Sequence, residues 1–268
     1  MTLKNIYCSL ALLLLLAAQV HANLLVSPIR VVMDEQIRTG EVTLLNTSNT
    51  TNSYTVDWIE YRQNQDDSYS ITKNNQSPAS RVLSYSPRRV TLGPQQSQKI
   101  RLRYRANRVE DGEFRSHLRM TALPPEKAED DSQKTSVSIR LQLSFDLPII
   151  VRKGQGDVSI GLGDMEVIPG VEGNERSMAK LKIPFQHRGE FSSTGSLRVV
   201  MQTVSGAEIK QIGIINNLNV FPESPSVIKT IPLSLQKVPA GAAIKVTYEG
   251  SKEYKGRIFV EKVFRYEP

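Results

Sequence analysis

The chain has 268 residues, of which 39% are hydrophobic and 23% charged, a composition typical of a folded globular protein of about two domains. Its 16 glycines and 14 prolines exclude a collagen-like or linker-like chain, and its single cysteine excludes a disulfide scaffold and a multi-cysteine zinc site. The formal net charge of +7 favours an acidic or anionic partner without identifying one.

Residues 1–22 have the three parts of a cleaved secretory signal peptide. Lys4 gives a basic start, residues 10–18 form an apolar run, and residues 20–22 end in a small-x-small pattern. The run is shorter than the roughly 20 residues that a membrane-spanning helix needs, so we expect no membrane insertion. An uncleaved membrane anchor is the alternative. Cys8 lies in this segment, so the mature chain is predicted to lack a thiol, which suits an oxidising compartment.

Beyond residue 22 the apolar residues recur with a period of two, which predicts β-strands and an all-β fold. The pattern is clear at Val42 and Leu44 and again at Tyr54, Val56 and Trp58. Further strands are predicted at residues 99–104, 114–123, 179–187, 196–204, 207–215, 227–235, 244–248 and 257–263. Trp58 is expected to pack in a core rather than to serve as a binding surface.

The number and spacing of these strands favour two antiparallel sandwiches of about 100 residues each. We predict a first domain at residues 23–152 and a second at residues 153–268. The segment Lys153-Gly154-Gln155-Gly156 is the best candidate for a linker, because its glycines permit a sharp bend. A hairpin within one domain would give the same pattern.

The longest alternating run extends from Val137 to Leu147 and has one wholly apolar face. That face consists of Val137, Ile139, Leu141, Leu143, Phe145 and Leu147. Eleven residues at about 3.3 Å each span roughly 36 Å, so part of the face should extend beyond the core of its own domain. A long apolar edge aggregates unless a partner covers it. The polar segment at residues 124–135 is predicted to be a mobile loop that could become ordered when a partner binds the strand. For the alternating run itself, an ordinary central sandwich strand is the alternative.

Several short motifs occur in a specific order: Ser27–Val32 (SPIRVV), Trp58–Glu60 (WIE), Leu92–Pro94 (LGP), and Glu113 followed by Pro124-Pro125. They resemble the first strand with its arginine, the W-I-E strand, the L-x-P-G turn and the sixth strand of the PapD-like periplasmic chaperones of the chaperone/usher pilus-assembly pathway. The resemblance covers most of residues 23–153, and Asp111–Leu118 is more similar to the archaic branch of that pathway.

The resemblance implies two immunoglobulin-like sandwiches in a boomerang arrangement. It also implies a periplasmic chaperone that binds, folds and stabilises pilin subunits by donor-strand complementation and delivers them to an outer-membrane usher. The lent strand would carry Val137, Ile139, Leu141, Leu143 and Phe145 into the groove of the subunit. Such a protein is no enzyme and needs no cofactor, and whether the free protein associates with itself is left open.

The family fixes the terminal carboxylate of the subunit with a pair of basic residues. Arg30 matches the arginine of that pair, and Asp146 stands where the family has a lysine. We therefore expect Arg115 to supply the second charge from the neighbouring strand, with Arg152 and Lys153 as alternatives. The resemblance also implies an interdomain charge cluster that contains Glu113 and Arg152, with Glu249 as a candidate third member.

The chain offers little material for catalysis or for metal binding. After the signal it keeps two histidines, His117 and His187, and no cysteine. Asp66-Asp67 and Asp130-Asp131 lie in polar segments and are interpreted as solvated loop charges. His117 is expected to be a structural hydrogen-bonding residue. We therefore expect no catalytic residues and no metal site, and the dispersed basic residues argue against nucleic acid.

The alternative function is a secreted immunoglobulin-like adhesin or carbohydrate-binding module. Such a module needs aromatic platforms, and the chain has one tryptophan and 6% aromatic residues, although its nine tyrosines keep this alternative open.

Overall fold

The computed structural model describes residues 24–105, 109–124, 142–174, 176–202 and 208–267. The predicted signal peptide at residues 1–22 lies outside the described residues, as do Val137, Ile139 and Leu141 of the predicted donor strand. The described residues form strands and two short 3-10 helices, Ala79–Arg81 and Lys252–Tyr254, which confirms the all-β fold class. None of the helices in the described part of the chain is long and apolar enough to cross a membrane.

The described residues of the first half of the chain form eleven strands. They are β1 (Leu24–Ser27), β2 (Val31–Met33), β3 (Thr39–Asn46), β4 (Asn52–Ile59), β5 (Tyr61–Gln63), β6 (Tyr69–Ile71), β7 (Leu83–Ser86), β8 (Arg89–Leu92), β9 (Ser97–Tyr104), β10 (Gly112–Ala122) and β11 (Ser144–Lys153). One sheet has the order β1-β3-β9-β7, the second has the order β2-β11-β10-β4-β8, and β5 and β6 form a separate hairpin.

The two larger sheets bury their inward faces in one core. Val42 and Leu44 of β3, Val56 of β4 and Ile100 of β9 are fully buried there, because alternate residues of a strand point to the same face. Trp58 is partly buried against this core and meets Tyr85 edge to face, with ring centroids 5.2 Å apart. The period-two pattern in the sequence thus corresponds to an immunoglobulin-like sandwich.

In the second half, the residues that the structure describes form eight strands. They are β12 (Ile160–Leu162), β13 (Glu166–Ile168), β14 (Lys180–His187), β15 (Ser193–Gln202), β16 (Glu208–Val220), β17 (Ser226–Pro232), β18 (Ala243–Gly250) and β19 (Ile258–Arg265). One sheet joins β12 and β13 to β14, which also pairs with β17, and the other has the order β16-β15-β18-β19. A second core lies between them, in which Phe185 and Tyr248 meet edge to face.

The boundaries of β11 differ from the sequence prediction. The predicted end at Leu147 is wrong, because the strand continues through Pro148 to Lys153. Proline is tolerated where a strand lacks a neighbour on one side, and β2 begins to pair with β11 only at Ile149. At the far end Gly154 adopts a φ of +75°, a conformation that favours glycine and turns the chain toward the second sandwich. The proposed domain limits at residues 152 and 153 stay a prediction.

The β5–β6 hairpin of the first sandwich reaches the second one. The backbone N–H of Ile228 donates to the carbonyl of Gln65 at 2.7 Å, and the hydroxyl of Ser224 donates to the carbonyl of Gln63 at 2.6 Å. Asp67 forms an ion pair with Lys229, whose side chain is only 5% exposed. The interpretation of Asp67 as a solvated loop charge is therefore wrong, because the hairpin places it against the second sandwich.

Candidate functional site

The apolar face of β11 runs from a fully buried end to an exposed end. Ile149 is fully buried and Leu147 is 3% exposed, Phe145 is partly buried against the first core, and Leu143 is 54% exposed. Ile149, Leu147 and Phe145 alternate along β11, and Leu143 directly precedes the first residue of the strand at the next alternate position, so the four side chains form a single row. The row therefore continues past the region where its own domain can cover it.

One edge of β11 has no strand beside it over half of its described length. β10 pairs with β11 from Ser144 to Lys153, whereas the parallel pairing with β2 covers only Ile149, Ile150 and Val151. On the side of β2, the backbone from Ser144 to Pro148 has no neighbouring strand among the residues that the structure describes. Unpaired backbone groups next to exposed apolar side chains form a surface that accepts a further strand.

Glu113 and Arg152 form a buried ion pair at the end of the β10–β11 hairpin. The two residues lie opposite each other, and the Arg152 Nε donates to the Glu113 Oε2 at 3.0 Å. Their side chains are 11% exposed for Arg152 and 3% exposed for Glu113. The same Glu113 oxygen accepts the N–H of Ser192 at 3.0 Å and its hydroxyl at 2.9 Å. The predicted pair of charges thus fastens the first sandwich to the second.

Arg30 and Arg152 both bind Glu253, a residue of the second 3-10 helix. The two terminal nitrogens of Arg30 donate to the two oxygens of the Glu253 carboxylate at 3.0 and 3.1 Å, and Arg152 Nη1 donates at 3.1 Å. Glu249, the candidate third member of the cluster, is exposed on β18. Glu253 therefore takes the place suggested for Glu249, because the turn after β18 carries it toward β2.

Burial opposes the charges of this cluster, but the partners outweigh burial. Desolvation alone would raise the pKa of the Glu253 carboxyl, yet a hydrogen bond to its own backbone and the charges of Arg30 and Arg152 lower that pKa overall. Desolvation likewise opposes the charge of Arg152, whereas Glu113 and Glu253 raise its pKa. The charged forms of Glu253 and Arg152 are therefore favoured.

Arg115 lies on the same face of β10, two residues after Glu113, and is 7% exposed. It forms an ion pair with Glu223 of the second sandwich and stacks over the Phe221 ring at 3.8 Å from the centroid. Arg115 and Glu223 line a cavity of about 480 Å³ together with Tyr61 and Asn75. The structure thus places both predicted anchors, Arg30 and Arg115, at the junction, each with a glutamate of the second sandwich.

Asp146, which we aligned by sequence with a lysine of the chaperone family, is paired with an arginine of β10. Arg119 lies opposite Asp146 and donates two hydrogen bonds to its carboxylate, each of 2.7 Å, and the Tyr61 hydroxyl donates a third of 2.7 Å. Arg119 holds the pKa of Asp146 below its usual range. Arg115 lies instead opposite Ile150. Lys153, the other alternative, binds Asp111 at 2.9 Å and the Val109 carbonyl at 2.7 Å.

His117 lies between these groups on the outer face of β10. Its ring meets Tyr61 edge to face at 4.9 Å, and its Nδ1 is buried without a hydrogen-bond partner among the described residues. The expected structural hydrogen bond is thus missing at Nδ1. Burial, followed by the charge of Arg115, lowers the pKa of His117 to about 4.

The low pKa of His117 predicts a loss of stability in mild acid. The unfolded chain takes up a proton below about pH 6.5, whereas the native imidazole resists protonation until about pH 4. The free energy of unfolding should therefore fall by roughly 1.4 kcal/mol per pH unit across this window through His117 alone. Urea unfolding of the native chain and of His117→Gln at several pH values measures the difference. If the free energy of unfolding of the two proteins varied with pH in parallel, this prediction would be contradicted.

The sequence pointed to Arg30, Glu113, Arg115 and Arg152 but missed Glu253 and Glu223. The separation along the chain is 223 residues for Arg30 and Glu253 and 108 residues for Arg115 and Glu223. Neither acid lies in a motif. The second half of the sequence shows the alternation of strands, but this pattern does not mark individual acids as site residues.

Comparisons with known proteins agree with this architecture. Residues 23–152 match the family model described as "Pili and flagellar-assembly chaperone, PapD N-terminal domain". The structure titled "Crystal Structure of Class 5 Fimbriae Chaperone CfaA" is similar over 92% of this chain and 100% of that chain, with 12% identity and a TM-score of 0.52. "Chaperone-tip adhesin complex is vital for synergistic activation of CFA/I fimbriae biogenesis" matches over 92% of this chain and 100% of that chain, with 13% identity and a TM-score of 0.51.

No curated protein sequence matches the chain. At 12% and 13% identity the two structures show a shared fold, that of two immunoglobulin-like domains. The match over residues 23–152 identifies the first sandwich as a PapD N-terminal domain of the pilus-assembly chaperones, and the shared fold extends the similarity to the second sandwich.

Proposed function

We propose that this chaperone works in the periplasm, holds pilin subunits by donor-strand complementation and delivers them to an outer-membrane usher. The observation that carries the proposal is the apolar row of β11, which passes from buried Leu147 to Leu143, a 54% exposed residue directly before the strand. Beside this row, the edge of β11 from Ser144 to Pro148 has no neighbouring strand on the side of β2 among the described residues. The sequence continues this alternation upstream through Leu141, Ile139 and Val137. A subunit that lacks one strand needs both features, apolar side chains at alternate positions and free backbone groups.

The expected strength of this contact is sufficient to hold a subunit. Four aliphatic side chains at positions 137, 139, 141 and 143 would contribute on the order of 6 to 10 kcal/mol on burial, before ordering costs. A period-two strand alone can slip by two residues, so a fixed point at one end is needed to set the register. We propose Arg30 as that fixed point, because its planar fork binds a carboxylate through two parallel hydrogen bonds.

Arg115 remains the proposed second basic residue at this fixed point. It lines the cavity of about 480 Å³ at the junction, so its surroundings leave room for a chain terminus. Arg152 is less suited, because it does not line this cavity and is held by three acceptors, Glu113, Glu253 and the Ser192 carbonyl. The interdomain cluster of Glu113 and Arg152 is then a structural support for the site.

Coexpression with the cognate pilin subunit tests the proposal. The native chain should yield a one-to-one periplasmic complex, and Arg30→Ala should lower the affinity for the subunit at least about tenfold, because a charge-assisted contact is lost. Arg103→Ala is the matched control, since Arg103 is an exposed arginine of β9 on the same domain.

Three results bear on the proposal. Loss of capture in Arg30→Ala with normal capture in Arg103→Ala supports it. Equal capture by all three proteins would show that Arg30 does not bind the terminal carboxylate of the subunit. A native chain that forms no complex, and instead binds a glycan, would favour the secreted adhesin or carbohydrate-binding module.

A further inference from the structure

We propose that Glu253 is an internal substitute for the terminal carboxylate of the subunit, occupying the fork of Arg30 until a subunit displaces it. This inference rests on the proposed function and concerns the regulation of the same site. Arg30 would then be guarded in the free chaperone, and subunit capture would be an exchange of one carboxylate for another.

The geometry of the contact is that of a bound carboxylate. Both terminal nitrogens of Arg30 donate, one to each oxygen of Glu253, at 3.0 and 3.1 Å. The Arg30 side chain is 9% exposed, so its fork has little open surface left. A second carboxylate cannot accept the same two hydrogen bonds while Glu253 accepts them. Two carboxylates beside one guanidinium would also repel each other, because both are negatively charged.

Glu253 is placed so that it can leave. Its side chain is 27% exposed, and it belongs to a 3-10 helix of three residues, whereas Glu113 is 3% exposed and holds Arg152 from a central strand. When Glu253 leaves Arg30 it still has Arg152 within reach, at 3.1 Å in the present structure. Its charge therefore keeps a partner in both states, which lowers the cost of the exchange.

The exchange has a consequence for delivery. A chaperone must release its subunit as well as bind it. When Glu253 returns to Arg30, its hydrogen bonds replace those of the departing carboxylate, so release costs less free energy than it would if Arg30 were left without a partner. Glu253 thus lowers the affinity of Arg30 for the terminal carboxylate of the subunit and favours its dissociation. Removal of the negative charge from residue 253 should then strengthen capture.

The test compares two forms of the cognate pilin subunit, one with its natural C-terminal carboxylate and one prepared as the C-terminal amide. We expect Glu253→Gln to bind the carboxylate form about tenfold more tightly than the native chain does, with little change for the amide form. Glu249→Gln is the matched control, because it makes the same change of charge at an exposed site of the same sandwich. Affinities come from refolding of the subunit in the presence of each chaperone.

Each outcome has a distinct meaning. Tighter binding of the carboxylate form alone supports the exchange. An equal change for both forms would mean that Glu253→Gln merely loosens the junction, and an unchanged affinity for the carboxylate form would show that Glu253 does not compete. Either result overturns the inference while the proposed function stands, provided that Arg30→Ala still impairs capture. A native chain that captures neither form would overturn both.

Discussion

Leu141→Asp should abolish the complex with the pilin subunit. Leu141 belongs to the apolar row that the sequence continues upstream of Leu143, and an aspartate there would enter an apolar groove without a partner. An unpaired carboxylate in such a site costs several kcal/mol, so we expect the affinity to fall at least about a hundredfold. Recovery of the periplasmic complex on coexpression measures this change.

Gln142→Asp is the control for this experiment. It adds the same charge at the neighbouring position, which belongs to the polar face of the run and is exposed. Capture should therefore persist in Gln142→Asp. Persistence of the complex in Leu141→Asp as well, with the subunit still held one to one, would refute the lent-strand mechanism. The thermal unfolding of both variants should match that of the native chain, because Leu143, the next residue of the row, is already 54% exposed.

Arg152→Met should destabilise the chaperone by about 3 to 5 kcal/mol, because it leaves the charge of Glu113 buried without its cation. Glu113 is 3% exposed and, among the described residues, would retain the two hydrogen bonds from Ser192. Urea unfolding measures the loss. Lys182→Met is a suitable control, since it removes an ion pair whose side chains are 42% and 64% exposed, and it should cost less than about 1 kcal/mol.

A double variant separates lost packing from lost charge pairing. Glu113→Gln combined with Arg152→Met removes the buried anion together with its cation. The double variant should therefore lose less free energy of unfolding than Arg152→Met alone. Two single effects that simply add in the double variant would show that Arg152 contributes through packing on Phe191 and Tyr254, whose rings lie 5.4 and 5.1 Å from its guanidinium carbon.

The outer face of β10 shows how one strand serves both the fold and the site. Phe114, Leu118 and Met120 point into the first core, while Glu113 and Arg115, together with His117 and Arg119, point to the opposite face. The period of two therefore brings a row of polar groups to the junction without disturbing the core. The pairing with β11 adds Asp146 and Arg152 to the same face.

The sequence by itself determined the β class, the apolar row of β11 and the charges Arg30, Glu113 and Arg152. These features are local, because alternation and short motifs depend on residues that lie close together along the chain. The pairing of Glu113 with Arg152 also follows from a hairpin, since antiparallel strands bring the start of one beside the end of the other.

Only the tertiary structure decided which acids complete the site. Glu253 and Glu223 come from turns of the second sandwich, and Asp67 reaches Lys229 through a hairpin of the first. A turn residue has no periodic neighbours to mark its direction, so its partner depends on how the two sandwiches are packed together. The occupied fork of Arg30 is therefore a property of the folded chain that no local pattern in the sequence could have shown.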